Sequence, residues 1–453
     1  MDRSSGEGQL AADSASTVEP VDLVSRSREL ECEDDHVAVG ALLRGDTASR
    51  IRWATPDGLE LVGRGVAARF AAGGPDRFDR IRTQASRVFD ALAHDGPEPA
   101  RPRAVGGFSF HDGHEPGPPW TGFDAAAFVV PQVLLTRTDD GTWLTTVGTR
   151  ADEADDRLER WTDRLAALPS NRSSGSAPAP GVASTRRTTS KAAWSDQVET
   201  ALDRIADGRL TKVVLAQALS VDLEGAIDVP ATLERLRRQY PNCYRFLVGR
   251  EVGGTFFGAP PERLVAKRGN RVETEALAGS VPRGETPAED REHVERMRAD
   301  EKFQHEHELV VDAIREQLAP FARELTVSEQ TIRRLATIQH LQTPIEAILD
   351  GDRHVLELVE ALHPTPAVGG VPPDAAWETI RDTEPFGRGW YAAPLGWFDG
   401  DGDGEFAVAL RSGVAADGTV TLFAGNGIVA DSDPAEEWDE VQLKFRPILD
   451  ELR

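Results

Sequence analysis

Only two cysteines, Cys32 and Cys243, occur in 453 residues. That excludes a disulfide framework or a cysteine-rich metal site and makes a cytoplasmic protein the expectation. No uninterrupted apolar run is long enough to span a bilayer, and the polar, acidic amino terminus lacks the apolar stretch of a secretory signal, so neither membrane insertion nor secretion is expected. Lysine is scarce too: Lys191, Lys212, Lys267, Lys302 and Lys444 are the whole set, and arginine supplies the remaining positive charge. Positive charge is itself in deficit, with 51 Lys+Arg against 76 Asp+Glu and a formal net charge of −25. Nucleic acid and anionic membrane are thereby excluded as partners, since both require a positive surface. The expected ligand is small and locally recognised. So acidic and lysine-poor a chain also reads as adapted to concentrated salt, which screens self-repulsion. No internal repeat points to a solenoid.

What is present is enough chain for one large α/β or α+β unit or for two to three ordinary domains. Residues 1–27 read as a disordered acidic tail. Residues 28–168 read as an N-terminal subdomain, 169–190 as an exposed Ser/Pro/Ala/Gly linker inside one folded unit, and 191–453 as the catalytic region. The runs HVAVGALL, RIRWATPDGLELVG and VAARF read as strands and hairpins, Phe78 to Ala93 and Asp152 to Leu168 as helices. Leu210 to Leu223 reads as a strand buried on both faces, and Gln330 to Ile348 as a helix. Gly389 to Phe398, Glu405 to Val414 and Val420 to Phe423 read as a three-stranded antiparallel meander.

Candidate chemistry gathers in a few places. Between Thr255 and Val311, Glu262 follows a Pro-Pro turn, Ser280 follows Gly279 at the end of a strand, and Glu306 lies three residues after Phe303 and four before Val310 on a helix. A carboxylate so placed needs a cationic partner or a metal, because burying an unpaired charge is costly. Lys212 begins the apolar run KVVLAQAL. Arg411 stands at a strand end, and Gly425-Asn426-Gly427 forms a glycine loop. Asp433, Pro434 and Glu436 specify the start of a closing helix that carries Glu437, Glu440 and Lys444 along one edge. A hard cation such as Mg²⁺ takes one or two carboxylates plus waters and substrate oxygens, which Glu306 and Glu440 could supply. Arg411 could hold a further carboxylate bidentately. Each residue also has a plainer reading: helix-face ion pairs for Glu306 and Glu440, a snorkelling strand-edge lysine for Lys212, a turn cap for Glu262, a structural carboxylate partner for Arg411, a structural histidine for His363, and a hairpin turn for residues 425–427. Taken singly, none decides.

An ordered series of motifs does. LTKVVLAQ, FFGAPPERL, ETEALAGSVPRG, DEKFQHEHELVVDAI, LHPTPAVGG, EPFGRGWYAAPLGWF, GEFAVALRSG and LFAGNGIVADSDPAEEWDEVQLK resemble, in order, the chorismate-utilising family of isochorismate, salicylate, anthranilate and aminodeoxychorismate synthases. IRWATPDGLELVGRG and VGGFSF are weaker echoes in the N-terminal half. The resemblance implies a large two-subdomain α+β fold, with mostly antiparallel sheets stacked face to face, helices outside and a cleft between. It implies that Glu306 and Glu440 hold Mg²⁺, with Glu437 as a ligand or water-mediated partner. Arg411, Lys444, Ser280 and the backbone of Gly279, Gly425 and Gly427 would bind the carboxylates of chorismate, His363 would line the ring, and Glu262 and Lys212 would serve as acid and base. Lys212 is expected to be unprotonated through burial.

Within the family, Leu277-Ala278-Gly279 lacks the nucleophilic lysine of aminodeoxychorismate synthases, and Lys212 is shared with members that add water, whereas amine-adding members usually lack it. The expected reaction is attack of water on C2 with loss of the C4 hydroxyl, giving isochorismate for menaquinone in preference to a siderophore. Salicylate synthase is the runner-up, anthranilate synthase component I a further alternative, and an inactive binding homologue the remote one. A monomer or weak homodimer is expected. Gln217, Pro261 and Asn426 depart from the family pattern, where Arg, Ser and a small residue are usual.

Overall fold

Runs that are apolar on both faces become interior strands of large sheets. KVVLAQALSVDL forms the strand Lys212–Leu223, buried over most of its length, as a strand covered on both sides requires. The computed structural model describes residues 22–31, 35–45, 49–168, 177–335 and 338–453. Among these, the strands form a thirteen-stranded and a ten-stranded sheet, in a mixed structure that is 33% helical and 34% strand. Pairing is antiparallel apart from Val24–Glu29 beside Ala93–Asp95. Both sheets draw on both halves of the chain, since Arg245–Gly249 pairs with Arg50–Ala54 in the larger and Pro394–Phe398 with Ala104–Phe108 in the smaller. Their facing apolar residues make one continuous core in which Phe256 packs against Phe123 and Trp390.

Two of the chain segments that cross from one sheet to the other run side by side. One passes from Thr255–Gly258 in the larger sheet through Ala259-Pro260-Pro261-Glu262 to Arg263–Arg268 in the smaller. The other returns from Gly404–Val408 through Ala409-Leu410-Arg411 to Ser412–Ala416. Val408 N donates to Glu262 O at 3.1 Å, and Ala259 N donates to Arg411 O at 3.1 Å. The crossovers thus form a hydrogen-bonded seam between the sheets.

That seam corrects the expected meander. Residues 405–414 are not one strand: the run breaks at Arg411, whose φ of 47° is a left-handed conformation costly for a non-glycine residue, and its two parts belong to different sheets. HVAVGALL, expected as strand, lies in the helix Asp35–Leu43. Its leucines pack on Val62, Val133 and Leu144, and so uniformly apolar a run carries no period that separates strand from helix. Residues 330–348, expected as a helix, form the strands Thr331–Arg334 and Ile338–Leu349. Apolar residues at helical spacing there are outweighed by backbone pairing with Arg271–Pro282 and Ala322–Val327 on opposite edges. The expected tail reaches too far, because Val24–Glu29 is a strand paired with Gly141–Gly148. The expected linker likewise contains the edge strand Val182–Arg187. Residues 1–21 and 169–176 lie outside the described residues.

Candidate active site

Glu262 and Arg411, far apart in sequence, are brought together on the two strands of the seam. Glu262 is 6% exposed, and its carboxyl is pushed up to about 8, first by burial and then by the neighbouring Glu275 carboxylate, with Lys212 and Arg333 opposing. It is therefore protonated at neutral pH and able to donate. Among the described residues Glu275 has donors that Glu262 does not: Arg333 Nη1 reaches its two oxygens at 2.7 and 2.9 Å, Gln342 Nε2 donates to it, and the backbone N of Arg263 lies 3.4 Å away.

Lys212 is 2% exposed, so it does not snorkel. Its Nζ donates to Glu306 Oε1 at 2.7 Å. Burial alone would raise the Glu306 carboxyl, but the Lys212 ammonium, with Lys444 and Lys302 nearby, holds it below its usual value. The expectation that burial leaves Lys212 without a proton thus meets an ion pair instead: the lysine has a carboxylate to compensate it. Helix Glu301–Leu318, capped by Asp300, delivers Glu306 beside a buried stripe of His307, Val310 and Ile314. Gly427 lies over the pair, where a Cβ would come within 2.9 Å of Lys212 Cε and 3.4 Å of Glu306 Oε1. A larger residue would displace the pair.

The closing helix Pro434–Leu452 starts as its sequence requires, with Asp433 accepting from Ala435 N and Glu436 N. Lys444 Nζ donates to Gly425 O at 3.1 Å and to Asn426 Oδ1, and lies 3.0 Å from Glu440 Oε1. Glu437 is buried and accepts from Asn426 Nδ2 at 2.5 Å. Burial pushes its carboxyl up, a hydrogen bond from Ser432 opposes this, and the like charge of Glu440 adds to it. Glu440 has a half-open side chain and makes the helix-face pair of its plainer reading. Among the described residues, no group of three or more His, Cys, Asp or Glu could hold a metal. A hard cation that keeps several waters needs only one or two protein carboxylates. The donors here are all carboxylate oxygens, with lysines beside Glu306 and the like charge of Glu440 beside Glu437, a donor type that suits a hard cation such as Mg²⁺.

Arg411 is a partly buried cation with no carboxylate partner among the described residues. Its guanidinium lies 5.7 Å from the Tyr240 ring and 3.9 Å from Cys243 Sγ, and burial holds it below its ordinary value. Beside it is His340, which the sequence reading missed because its strand reads as a helix. His340 pairs across the sheet with Ser280, hydrogen-bonds the backbone of Gly279, and is pushed down to about 3 by burial and then by Arg411, Lys444 and Arg333. Gly279 has a φ of 65°, the left-handed conformation that glycine adopts without strain, at the bulge where the register shifts. Ser280 is placed there by its backbone; its side chain lies outside the described residues. The hydroxyl of Tyr391, a second missed residue, lies 3.2 Å from where a Cβ of Gly425 would stand.

His363 has different charged neighbours, Arg77 and His111. Its Nε2–H donates to Phe110 O at 2.9 Å and its ring meets Phe110 edge-on at 5.6 Å. Burial pushes it down to about 3, so it is neutral. His340, by contrast, has Arg411, Lys444 and Arg333 as its charged neighbours.

Comparison with known proteins accords with this geometry. A family model described as "Chorismate binding enzyme" matches residues 10–453. An isochorismate synthase of Bacillus subtilis is 34% identical over 448 residues, spanning 95% of this chain and 93% of that protein. A salicylate biosynthesis isochorismate synthase of Pseudomonas aeruginosa is 36% identical over 436 residues, spanning 95% and 90%. The structure of the menaquinone-specific isochorismate synthase of Escherichia coli superposes with a TM-score of 0.77 at 28% identity, covering 95% of this chain and 94% of that one. With a match that runs through nearly the whole sequence, and relatives above 30% identity over nine-tenths of both chains, this chain belongs to the chorismate-binding enzymes.

Proposed function

We propose that this chain is a Mg²⁺-dependent isochorismate synthase, converting chorismate to isochorismate, and that it serves menaquinone synthesis. The observation that carries the reading is a protonated acid, Glu262, and a buried lysine, Lys212, within electrostatic reach of each other across the inter-sheet seam. Addition of water and departure of a hydroxyl need these two opposed proton carriers.

In the proposed reaction Arg411, Lys444 and the backbone of Gly279, Gly425 and Gly427 bind the two carboxylates of the substrate, with Ser280 beside them and His340 as a neutral donor. Glu306 and Glu440 would hold Mg²⁺, with Glu437 as ligand or water-mediated partner; the ion supplies charge neutralisation at a substrate carboxylate. Lys212, parted from Glu306 by the bound substrate and cation and with its own proton given up to solvent, takes through its free amine the proton of the water that attacks C2. Glu262 gives its proton to the hydroxyl leaving C4, and water is both consumed and released. The N-terminal and C-terminal halves of the chain act as one folded unit around this seam. The protein works in the cytoplasm on a small substrate, as a monomer or weak homodimer, without nucleic acid or membrane. Among the described residues no helix is long and apolar enough to cross a membrane.

Incubation of the purified protein with chorismate and Mg²⁺, with and without molar KCl, followed by separation of isochorismate, salicylate and pyruvate, tests this reading. Isochorismate alone is expected, formed faster in high salt. Salicylate with stoichiometric pyruvate overturns the assignment in favour of a salicylate synthase, and full activity and stability in dilute buffer overturn the salt adaptation.

A further inference from the structure

Glu262 can act as an acid at neutral pH only if its proton is retained, and burial is not its sole support. Glu275, on the neighbouring strand Arg271–Pro282, is itself 9% exposed. A carboxylate that deep is costly unless its lone pairs are filled. Here they are filled from three elements: Arg333 Nη1 from Thr331–Arg334, Gln342 Nε2 from Ile338–Leu349, and the backbone N of Arg263, the residue joined to Glu262. Arg333 is anchored in turn, its Nη2 donating to Asn242 O at 3.1 Å. Donors so arranged satisfy a carboxylate and would be wasted on a neutral acid, which must itself donate.

We infer that Glu275 is a positioning residue for the reaction: held as a fixed carboxylate by Arg333, Gln342 and the Arg263 amide, it keeps the adjacent Glu262 as the proton-bearing carboxyl of the pair. Two carboxyls sharing one desolvated region do not both ionise, and the one with the better donors carries the charge. The charged groups that face Glu262 are Glu275 from its own sheet, Lys212 from the larger sheet, and Arg333. Lys212 and Arg333 both favour ionisation, so Glu275 is the one charge opposing them. Arg263 turns away, into a network with Tyr244, Glu273 and Asp57. Burial and the Glu275 charge are the two causes of the raised Glu262 carboxyl.

The inference rests on the acid role proposed for Glu262, and the test separates the two. The pH dependence of kcat is measured for isochorismate formation by the wild type, Glu275→Gln and Glu275→Asp, with the KM for chorismate and the Mg²⁺ requirement recorded alongside. Loss of the protonated acid sets the alkaline limb. In Glu275→Gln this limb is expected to move to lower pH by about one unit, with KM changed less than about twofold, and Glu275→Asp is expected to restore it. An alkaline limb that stays in place in folded Glu275→Gln overturns the inference. Absence of any wild-type isochorismate overturns instead the proposed function. Because Glu275→Gln leaves Arg333 without its carboxylate, the double variant Glu275→Gln/Arg333→Met, which removes both members of the pair, is assayed as well. Its limb is expected to be displaced less than that of Glu275→Gln, because Arg333, which favours ionisation of Glu262, is lost as well, and a limb displaced further than in Glu275→Gln overturns the inference.

Discussion

The two walls of the seam are built on different principles. The acid wall, Glu262 with Glu275, Arg333 and Gln342, stands on strands and an inter-sheet crossover, buries both carboxyls, and has its donors fixed by the sheet register. The opposite wall, Glu306, Glu437, Glu440 and Lys444, stands on two helices and grades from a buried carboxylate to a half-open one. Lys212 spans the two, rooted in a strand but paired to a helix. Strand-borne groups are held by neighbours on both sides and suit a proton that must stay in place. Helix-borne carboxylates with lysine partners suit a cation that comes and goes, because their present compensation can be exchanged.

The largest effect that tests this contrast is at Lys212. Lys212→Ala removes the proposed base, and turnover should fall by roughly 10²–10⁴ while chorismate and Mg²⁺ binding stay measurable by calorimetry. Substantial residual isochorismate formation would falsify the base assignment. On the acid wall, Glu262→Gln should cost a comparable factor in kcat but make the protein more stable. Between the ordinary 4.5 and the folded value of about 8, the folded state keeps a proton that the unfolded chain releases, so wild-type stability declines as pH rises through that window. The glutamine variant lacks this decline, by roughly 1.4 kcal/mol for each pH unit spanned. Denaturation series at pH 5 and pH 8 check the sign. Equal pH slopes for the two proteins would show that Glu262 is not held protonated.

Smaller losses are expected where ligand is held and chemistry is not done. Arg411→Lys keeps the charge but loses the planar fork, and the KM for chorismate should rise roughly 10- to 100-fold, as one or two charge-assisted hydrogen bonds warrant. An unchanged KM would leave the lone guanidinium unexplained. On the helical wall, Glu306→Ala and Glu440→Ala should each raise the Mg²⁺ needed for half-maximal activity, on the order of tenfold or more. The shift should be greater for the partly buried Glu306 than for the half-open Glu440. Wild-type titrations in both would remove the metal from this wall.

Which of these residues could be read from sequence follows from the same contrast. The helix that carries Glu437, Glu440 and Lys444 has its own start signals in Asp433 and Pro434, and the structure places that start at the same residues. Glu262 and Lys212 were conspicuous as charged residues in apolar surroundings. His340 and Glu275 were not, because their neighbourhood is made by pairing between distant strands. Arg333, Gln342 and His340 come from a segment whose apolar spacing imitates a helix, and only its pairing with Arg271–Pro282 turns their side chains toward Glu275 and Gly279. Arg411 was identified, but the left-handed break that places it at the seam was not, since neither glycine nor proline marks it. HVAVGALL, buried all round, had no periodicity to read.

The smallest effect on catalysis is expected at His363, and it tests the exchange of one histidine for another. Its Nε2–H satisfies the carbonyl of Phe110, so His363→Ala leaves that buried acceptor unpaired at about 1–3 kcal/mol and lowers the Tm. The histidine is held neutral down to about pH 3, whereas an unfolded one takes up a proton near its ordinary 6.5. Wild-type stability is therefore lost as pH falls through that window, and the alanine variant should be less acid-sensitive as well as less stable at neutral pH. The KM for chorismate should stay within about twofold of the wild type, while His340→Ala, which opens a gap beside Arg411 and Gly279, should raise it. If instead His363→Ala raises KM and His340→Ala does not, substrate lies toward Phe110, and the seam is not where the ring is held.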